Sequence, residues 1–249
     1  MIETAEHLDV ARRAPLNRDR VLRAAVALAD DVGIEALSMR TLARELGVVP
    51  MALYKHVANK EELLDGMVDI VVCEIDPPVH DADWKSAVRQ RILSARRVLR
   101  RHLWMSRAIE SRAKATPVVL EYMDSMIGLF RAGGFSVDLT HHVMHALGSR
   151  MLGFSQELFD DSQSEPESAD PDAQADMLRE MAGRYPHIAE VAMAAAHDEE
   201  SVVGQGCDDQ FEFEFALDLL LDGFERLHRQ GWGPTGRSRD DSAAFPAQE

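Results

Sequence analysis

Apolar residues recur at helical spacing along almost the whole chain, and strand-like alternation is nearly absent. The first clear stripe is Val21, Leu22, Ala25, Leu28, Ala29 and Val32, opened by Asn17 as an N-cap and closed by Gly33. Ser38 caps a second helix, with Leu42, Ala43 and Leu46 inward and Gly47 as its stop. Pro50 then stands where a first helical residue would, because a proline there gives up an N–H that has no helical partner anyway. A short third helix is predicted from about Pro50 to Val57. Asn59 starts a fourth, in which Glu62 completes a capping box over the stripe Leu63, Leu64, Met67, Val68, Val71 and Ile75.

Pro77-Pro78 interrupt the pattern, and Trp84, Val88, Ile92, Ala95, Leu99 and Leu103 then mark a long amphipathic helix. Its other faces carry Arg89, Arg91, Arg96, Arg97, Arg100 and Arg101, expected to be solvated or to pair with an acidic stretch such as 161–215. Further helices are predicted at 105–113, at 117–132 before Gly133-Gly134, and at 137–159. Residues 161–172, rich in Ser, Pro and Asp, read as a loop, followed by helices at 173–183, 186–196 and 208–230. The fold class is therefore all-α, with a head of three short helices before a larger helical body.

Composition changes this picture in one respect. The 249 residues include 43 acidic and 27 basic side chains, a net charge of −16 that argues against a uniformly basic coat for nucleic acid. The charge is uneven, however: residues 1–60 hold nine basic and eight acidic residues, so the rest of the chain carries −17. Cys73 and Cys207 are too few for a disulfide framework and read as small buried hydrophobes of a reducing compartment. The acidic, unpatterned N-terminus is unlike a signal peptide and no segment has the length and apolarity of a membrane span, so a cytoplasmic protein without membrane contact is expected.

A helix, a glycine-containing turn and a short helix form the helix-turn-helix arrangement, whose second helix enters the DNA major groove. The pattern alone also fits plain bundle packing. The run SMRTLARELGVVPMALYKHVANKEELLDGM resembles the DNA-binding head of TetR-family transcriptional regulators, through Leu42-Ala43, Leu46-Gly47-Val48, Leu53-Tyr54, His56-Val57, Asn59-Lys60 and Leu63-Leu64. Trp84, Gly134-Phe135-Ser136, Leu152-Gly153 and FEFALDLLLDGFERL resemble the tetracycline-repressor type of C-terminal domain.

The resemblance implies a flexible segment at 1–16, a DNA-binding domain at 17–60, a connecting helix at 61–77, a ligand-binding and dimerisation domain at 78–231 and a disordered tail at 232–249. It implies a DNA-binding surface of Ser38, Met39, Arg40, Pro50, Met51, Ala52, Tyr54, Lys55, His56 and Lys60. Arg40 can reach a guanine edge, Met51 and Ala52 can meet thymine methyls, and Tyr54, His56 and Lys60 match phosphate-contacting positions. Apolar residues at the tip, with the proline one position earlier than in the tetracycline repressor, imply a different operator. The resemblance further implies a homodimer through 137–159 and 208–230, with Gly148 and Gly153 permitting close approach and Phe211, Phe215, Leu219, Leu220 and Phe224 supplying apolar area, some of which fills the core instead.

The same resemblance places an effector pocket among Trp104, Met105, Met123, Met126, Phe130, Met144, His145, Met151, Phe154 and Glu157, although each singly is also a plausible core residue. His141 and His145, one turn apart with His142 between, suggest pocket hydrogen bonding ahead of a metal, because no carboxylate or thiolate stands at ligand spacing. Asp76 falls where the tetracycline repressor has a ligand-holding histidine, which argues against tetracycline. Neither a cofactor nor an enzyme is expected, because no nucleophile–base pair or phosphate-cradling glycine loop is present. The implied partners are operator DNA, a small-molecule effector and a second copy of the chain; a helical interaction module without DNA binding is the remaining alternative.

Overall fold

A computed structural model describes residues 15–79, 82–112, 114–152, 182–195 and 209–233, and every regular element among them is helical. The chain forms two compact units, residues 1–152 with 224–249 and residues 153–223. The larger contains α1 (Arg18–Val32), α2 (Met39–Leu46), α3 (Pro50–Leu53), α4 (Lys60–Val72), α5 (Trp84–Arg101), α6 (Met105–Glu110), α7 (Pro117–Ala132) and α8 (Val137–Leu152). The smaller contains α9 (Pro186–Ala195), and α10 (Asp209–Arg229) gives it the residues up to Gly223. The predicted loop at 161–172, the helix at 173–183 up to residue 181, and the tail from 234 lie outside the described residues.

Caps fix the starts of the helices. Asn17 Oδ1 accepts from the Arg20 N–H at 2.8 Å and Ser38 Oγ from that of Thr41 at 3.1 Å, so each occupies a donor that the first turn leaves unpaired. The expected box at Asn59 is shifted by one residue: Asn59 accepts from Glu62 N–H at 2.8 Å, while Glu62 Oε2 accepts from Ala58 N–H at 2.7 Å. At Gly47 the chain turns with φ 69°, a left-handed conformation that an L side chain disfavours, and this sets the turn between α2 and α3. The third helix is only one turn long, shorter than the run to Val57 that the sequence suggests, although His56 and Val57 N–H both still bond to the Leu53 carbonyl.

Fully buried Val21, Ala25, Leu42, Leu53, Leu63, Met67 and Val71 form the head core. Burying each large side chain contributes about 1.5–3 kcal/mol, against the entropy of ordering the segment. This core does not stop at residue 60 or 77, because Val98, Trp104, Met105 and Ala108 belong to the same cluster. A second centre gathers Trp84, Phe130, Phe135, Phe224 and His228, with Trp84 and Phe135 centroids 4.7 Å apart and the Phe135 and His228 rings stacked at 4.4 Å. Phe224 is thereby committed to the core and does not supply a free dimer surface.

The structure adds to the sequence reading at Cys73 and along α5. Cys73 is exposed rather than buried, because it follows the last turn of α4 on its outer side; Cys207 lies outside the described residues. Two arginines of α5 pair close by: Arg97 reaches Asp76 at 2.7 Å and Arg101 reaches Glu74 at 3.2 Å. Arg91 is buried and donates to the Asp76 carbonyl at 2.8 Å.

Candidate nucleic-acid interface and ligand cavity

The helix-turn-helix owes its shape to the burial of Leu42, Ala43, Leu53 and Val57, which leaves the intervening polar positions outside. Thr41 Oγ1 accepts from Ser38 N–H at 2.9 Å and donates to the Ala36 carbonyl at 3.1 Å, completing a reciprocal box at the start of α2. Ser38 is thus a capping residue that is also exposed, and Met39 is half-buried against the head core. Arg40, Pro50, Met51, Tyr54, Lys55 and Lys60 are exposed, Met51 at 71%, whereas Ala52 and His56 are half-buried.

An apolar side chain left this far in water at the tip of a helix gains nothing for the fold and is available to a partner. The neighbouring Val49 is also 68% exposed and was missed as a candidate, since a valine in a turn gives no chemical signal in the sequence. Among the described residues Arg40, Arg44, Lys55 and Lys60 have no ion-pair partner, so their charge is available to phosphate.

The body holds an apolar cavity of about 220 Å³, built by the end of α4 (Val71, Val72, with Ile75 beyond), α5 (Ile92, Ala95, Val98, Leu99), α6 (Met105, Ile109), α7 (Val119, Tyr122, Met123, Met126) and α8 (Met144, Leu147, Gly148, Met151, Leu152). Met105, Met123, Met126, Met144 and Met151 of the expected pocket therefore line it together. Trp104 and Phe130 do not: Trp104 is buried in the head cluster and donates to Asp30 at 2.7 Å, while Phe130 packs in the aromatic centre. His145 is exposed and lies 4.6 Å from the His141 ring, outside the cavity lining, because α8 turns Val143 and Leu147 inward. Phe154 and Glu157 lie outside the described residues, as does Gly153. No group of three or more His, Cys, Asp or Glu among the described residues is placed to hold a metal ion.

Two polar junctions surround the cavity region. Asp76, on the segment leaving α4, has its N–H on Ser94 Oγ at 2.9 Å and accepts the Ser94 hydroxyl at 2.8 Å in addition to the Arg97 bridge, so its carboxylate serves as an anchor to α5. Buried His102 points Nδ1 at Asp30 (2.8 Å) and Nε2 at Glu74 (3.3 Å), joining α1, the exit of α4 and the α5–α6 turn. Neither junction is legible in the sequence, since its partners lie 18 to 72 positions apart.

Tyr122 carries the strong hydrogen-bonding group of the cavity lining. The Arg91 guanidinium sits 4.8 Å from its ring centroid. Burial pushes the Tyr122 hydroxyl above its ordinary pKa, partly offset by Arg91, and burial pulls Arg91 down, partly offset by Tyr122.

An exposed helix-turn-helix on an all-α body is an arrangement that DNA-binding regulators use. Residues 21–67 match the family described as "Bacterial regulatory proteins, tetR family", and residues 77–228 match "Tetracyclin repressor-like, C-terminal domain". The chain belongs to the TetR family of transcriptional regulators and carries a tetracycline-repressor-type C-terminal domain. As such it is a DNA-binding transcription factor and not an enzyme.

Among similar proteins, the HTH-type transcriptional repressor DrrR1 of Streptomyces coeruleorubidus is 31% identical over 227 residues, 88% of this chain and 80% of that one. The class C tetracycline repressor of Escherichia coli is 29% identical over 218 residues, 85% of this chain and 92% of that one. The solved structure of Streptomyces coelicolor ActR in complex with actinorhodin aligns with a TM-score of 0.62 at 26% identity, covering 86% of this chain and 98% of that one. Among the described residues no helix is long and apolar enough to cross a membrane.

Proposed function

We propose that the chain is a cytoplasmic, homodimeric repressor that binds a palindromic operator through Ser38–Arg40, Pro50–Ala52, Tyr54–His56 and Lys60, and leaves it when a small, largely apolar effector fills the cavity. The observation that carries this reading is the double role of α4. Leu63 and Met67, nearer its start, pack in the head core, while Val71 and Val72 at its end line the cavity. A ligand that favours one position of this 13-residue helix biases the position of the head, and only such a difference in affinity between two states can shift their populations.

Dimerisation is supported by α10, which exposes Phe211, Phe215 and Leu219 at 61%, 55% and 57% on successive turns, apolar area of the kind that a second copy covers. That ActR is described in complex with actinorhodin supports a small-molecule effector for a cavity of this kind. The absence of charged side chains among its described lining residues supports an apolar one.

The test is to sequence genomic fragments retained by the purified protein and then measure affinity for the shared site. A palindrome and a steep fall in affinity with salt are expected. Arg40→Ala should lose about 1–3 kcal/mol of discrimination against mismatched DNA with the dimer intact. A salt-independent affinity sinks the reading.

A further inference from the structure

We infer that the effector is an uncharged bicyclic aromatic molecule bearing one hydrogen-bond acceptor, and that the Tyr122 hydroxyl is the donor that fixes its orientation. The inference rests on the effector reading of the cavity and goes on to specify the ligand.

Size comes first. An apolar cavity of about 150 Å³ takes up benzene, and drug-sized pockets run to roughly 300–1,000 Å³. At about 220 Å³ this cavity lies between the two, which fits a pair of fused rings.

Shape and polarisability come second. Five methionines and the Tyr122 ring line it. Thioethers sit favourably at the edges of aromatic rings and adapt to flat shapes, and an aromatic wall favours offset or edge-on rings over a flexible chain.

Charge comes third. Every described lining side chain is uncharged, and against these residues an anion or cation would lose its hydration without a partner. Arg91 is not among the described lining residues: its Nη1 donates to the Asp76 carbonyl and its guanidinium carbon lies over the Tyr122 ring. Its Nε is buried with no hydrogen-bond partner among the described residues, and the side chain is held by the cation–π contact and the carbonyl bond.

Polarity comes last. Among the described residues the Tyr122 hydroxyl makes no hydrogen bond, although the residue is half-buried. A phenol is protonated near neutral pH and burial moves it further that way, so the hydroxyl is a donor and the complementary ligand group is an acceptor such as an aryl ketone.

The test uses four probes on the full chain: acetylnaphthalene, ethylnaphthalene as its isostere without the carbonyl, naphthoate as an anion, and undecanone as an aliphatic ketone. Binding is read by calorimetry for the wild type and for Tyr122→Phe, with a thermal melt to verify folding. Acetylnaphthalene is expected to bind about three- to tenfold tighter than ethylnaphthalene, the worth of one net hydrogen bond. Tyr122→Phe should abolish that preference.

The inference is overturned if naphthoate or undecanone binds best, if no probe binds, or if the carbonyl preference survives in Tyr122→Phe. Operator release is measured in parallel. Binding that leaves the operator complex intact removes the regulatory reading while sustaining the ligand class, so the two failures are distinguishable.

Discussion

Glycine shows how one residue type takes its meaning from what surrounds it. A Cβ built on Gly133 would lie 2.7 Å from Trp84 Cγ, inside the aromatic centre, whereas one on Gly128, within α7, would meet nothing within 4 Å. Gly133→Ala is therefore expected to destabilise by about 1–3 kcal/mol through overpacking against a ring that cannot step aside. Gly128→Ala should be neutral or stabilising by up to about 1 kcal/mol, since it removes the helix cost of glycine. Chemical denaturation of the two variants checks the opposite signs, and equal effects would show that Trp84 can move.

Tyr122 carries the same lesson for function. A tyrosine among apolar residues at helical spacing reads as core, and only the placement of Arg91 over its ring and of five methionines around one cavity gives it a chemical part.

At the scale of elements, the caps are where sequence converts most directly into energy. Ser38→Ala removes the acceptor for Thr41 N–H and half of the reciprocal box, at a cost of about 0.5–2 kcal/mol. Because α2 positions Arg40, the same substitution should weaken operator binding more than the stability loss alone predicts, as measured by titration well below the melting temperature.

Asp83 caps α5 by accepting from Lys85 N–H at 3.0 Å and Ser86 N–H at 3.1 Å. Hydrogen bonding from the Ser86 side chain, followed by the Ser86 and Lys85 N–H groups, holds its carboxyl below the ordinary aspartate range. A carboxyl depressed in the folded state stabilises above its unfolded pKa, about 3.9, and loses that contribution as pH falls through the lower folded value. Asp83→Asn keeps a capping oxygen but cannot titrate. Its melting temperature should lie below wild type near neutrality and converge with it on acidification; a gap that stays constant with pH would remove Asp83 from the acid response.

For the whole molecule, charge and apolar surface are divided between ends of the chain. The net charge of −16 conceals a head near neutrality, so the acidic remainder repels DNA and favours approach through the head. Phe211, Phe215 and Leu219 expose one apolar face of α10, and Phe215→Glu is expected to give monomers by sedimentation with unchanged helix content and much weaker operator binding. A persistent dimer would exclude this face from the interface.

His102 ties α1 to the α5–α6 turn and the exit of α4. His102→Ala leaves Asp30 with Trp104 and Glu74 with Arg101, so a loss of about 1–3 kcal/mol is expected, read as a shift of denaturation midpoint at constant slope.

The sequence by itself determined the helices, their caps and the helix-turn-helix, because these depend on neighbours three or four positions apart. Asn17, Ser38, Gly47, Pro50 and Asn59 stand at the element ends where their local chemistry puts them. The exposed tip at Met51 was equally legible, since burial of Leu42 and Leu53 forces it outward. The ligand cavity was legible only as a supply of methionines. Which apolar residues fill space and which surround it is settled by how α4, α5, α6, α7 and α8 pack. That packing sent Trp104 to Asp30 and Phe130 to Trp84, kept Met126 and Met151 at the cavity, and brought Asp76 and His102 to their partners. Helical periodicity marks the inward face of each helix; only the tertiary structure decides what that face meets.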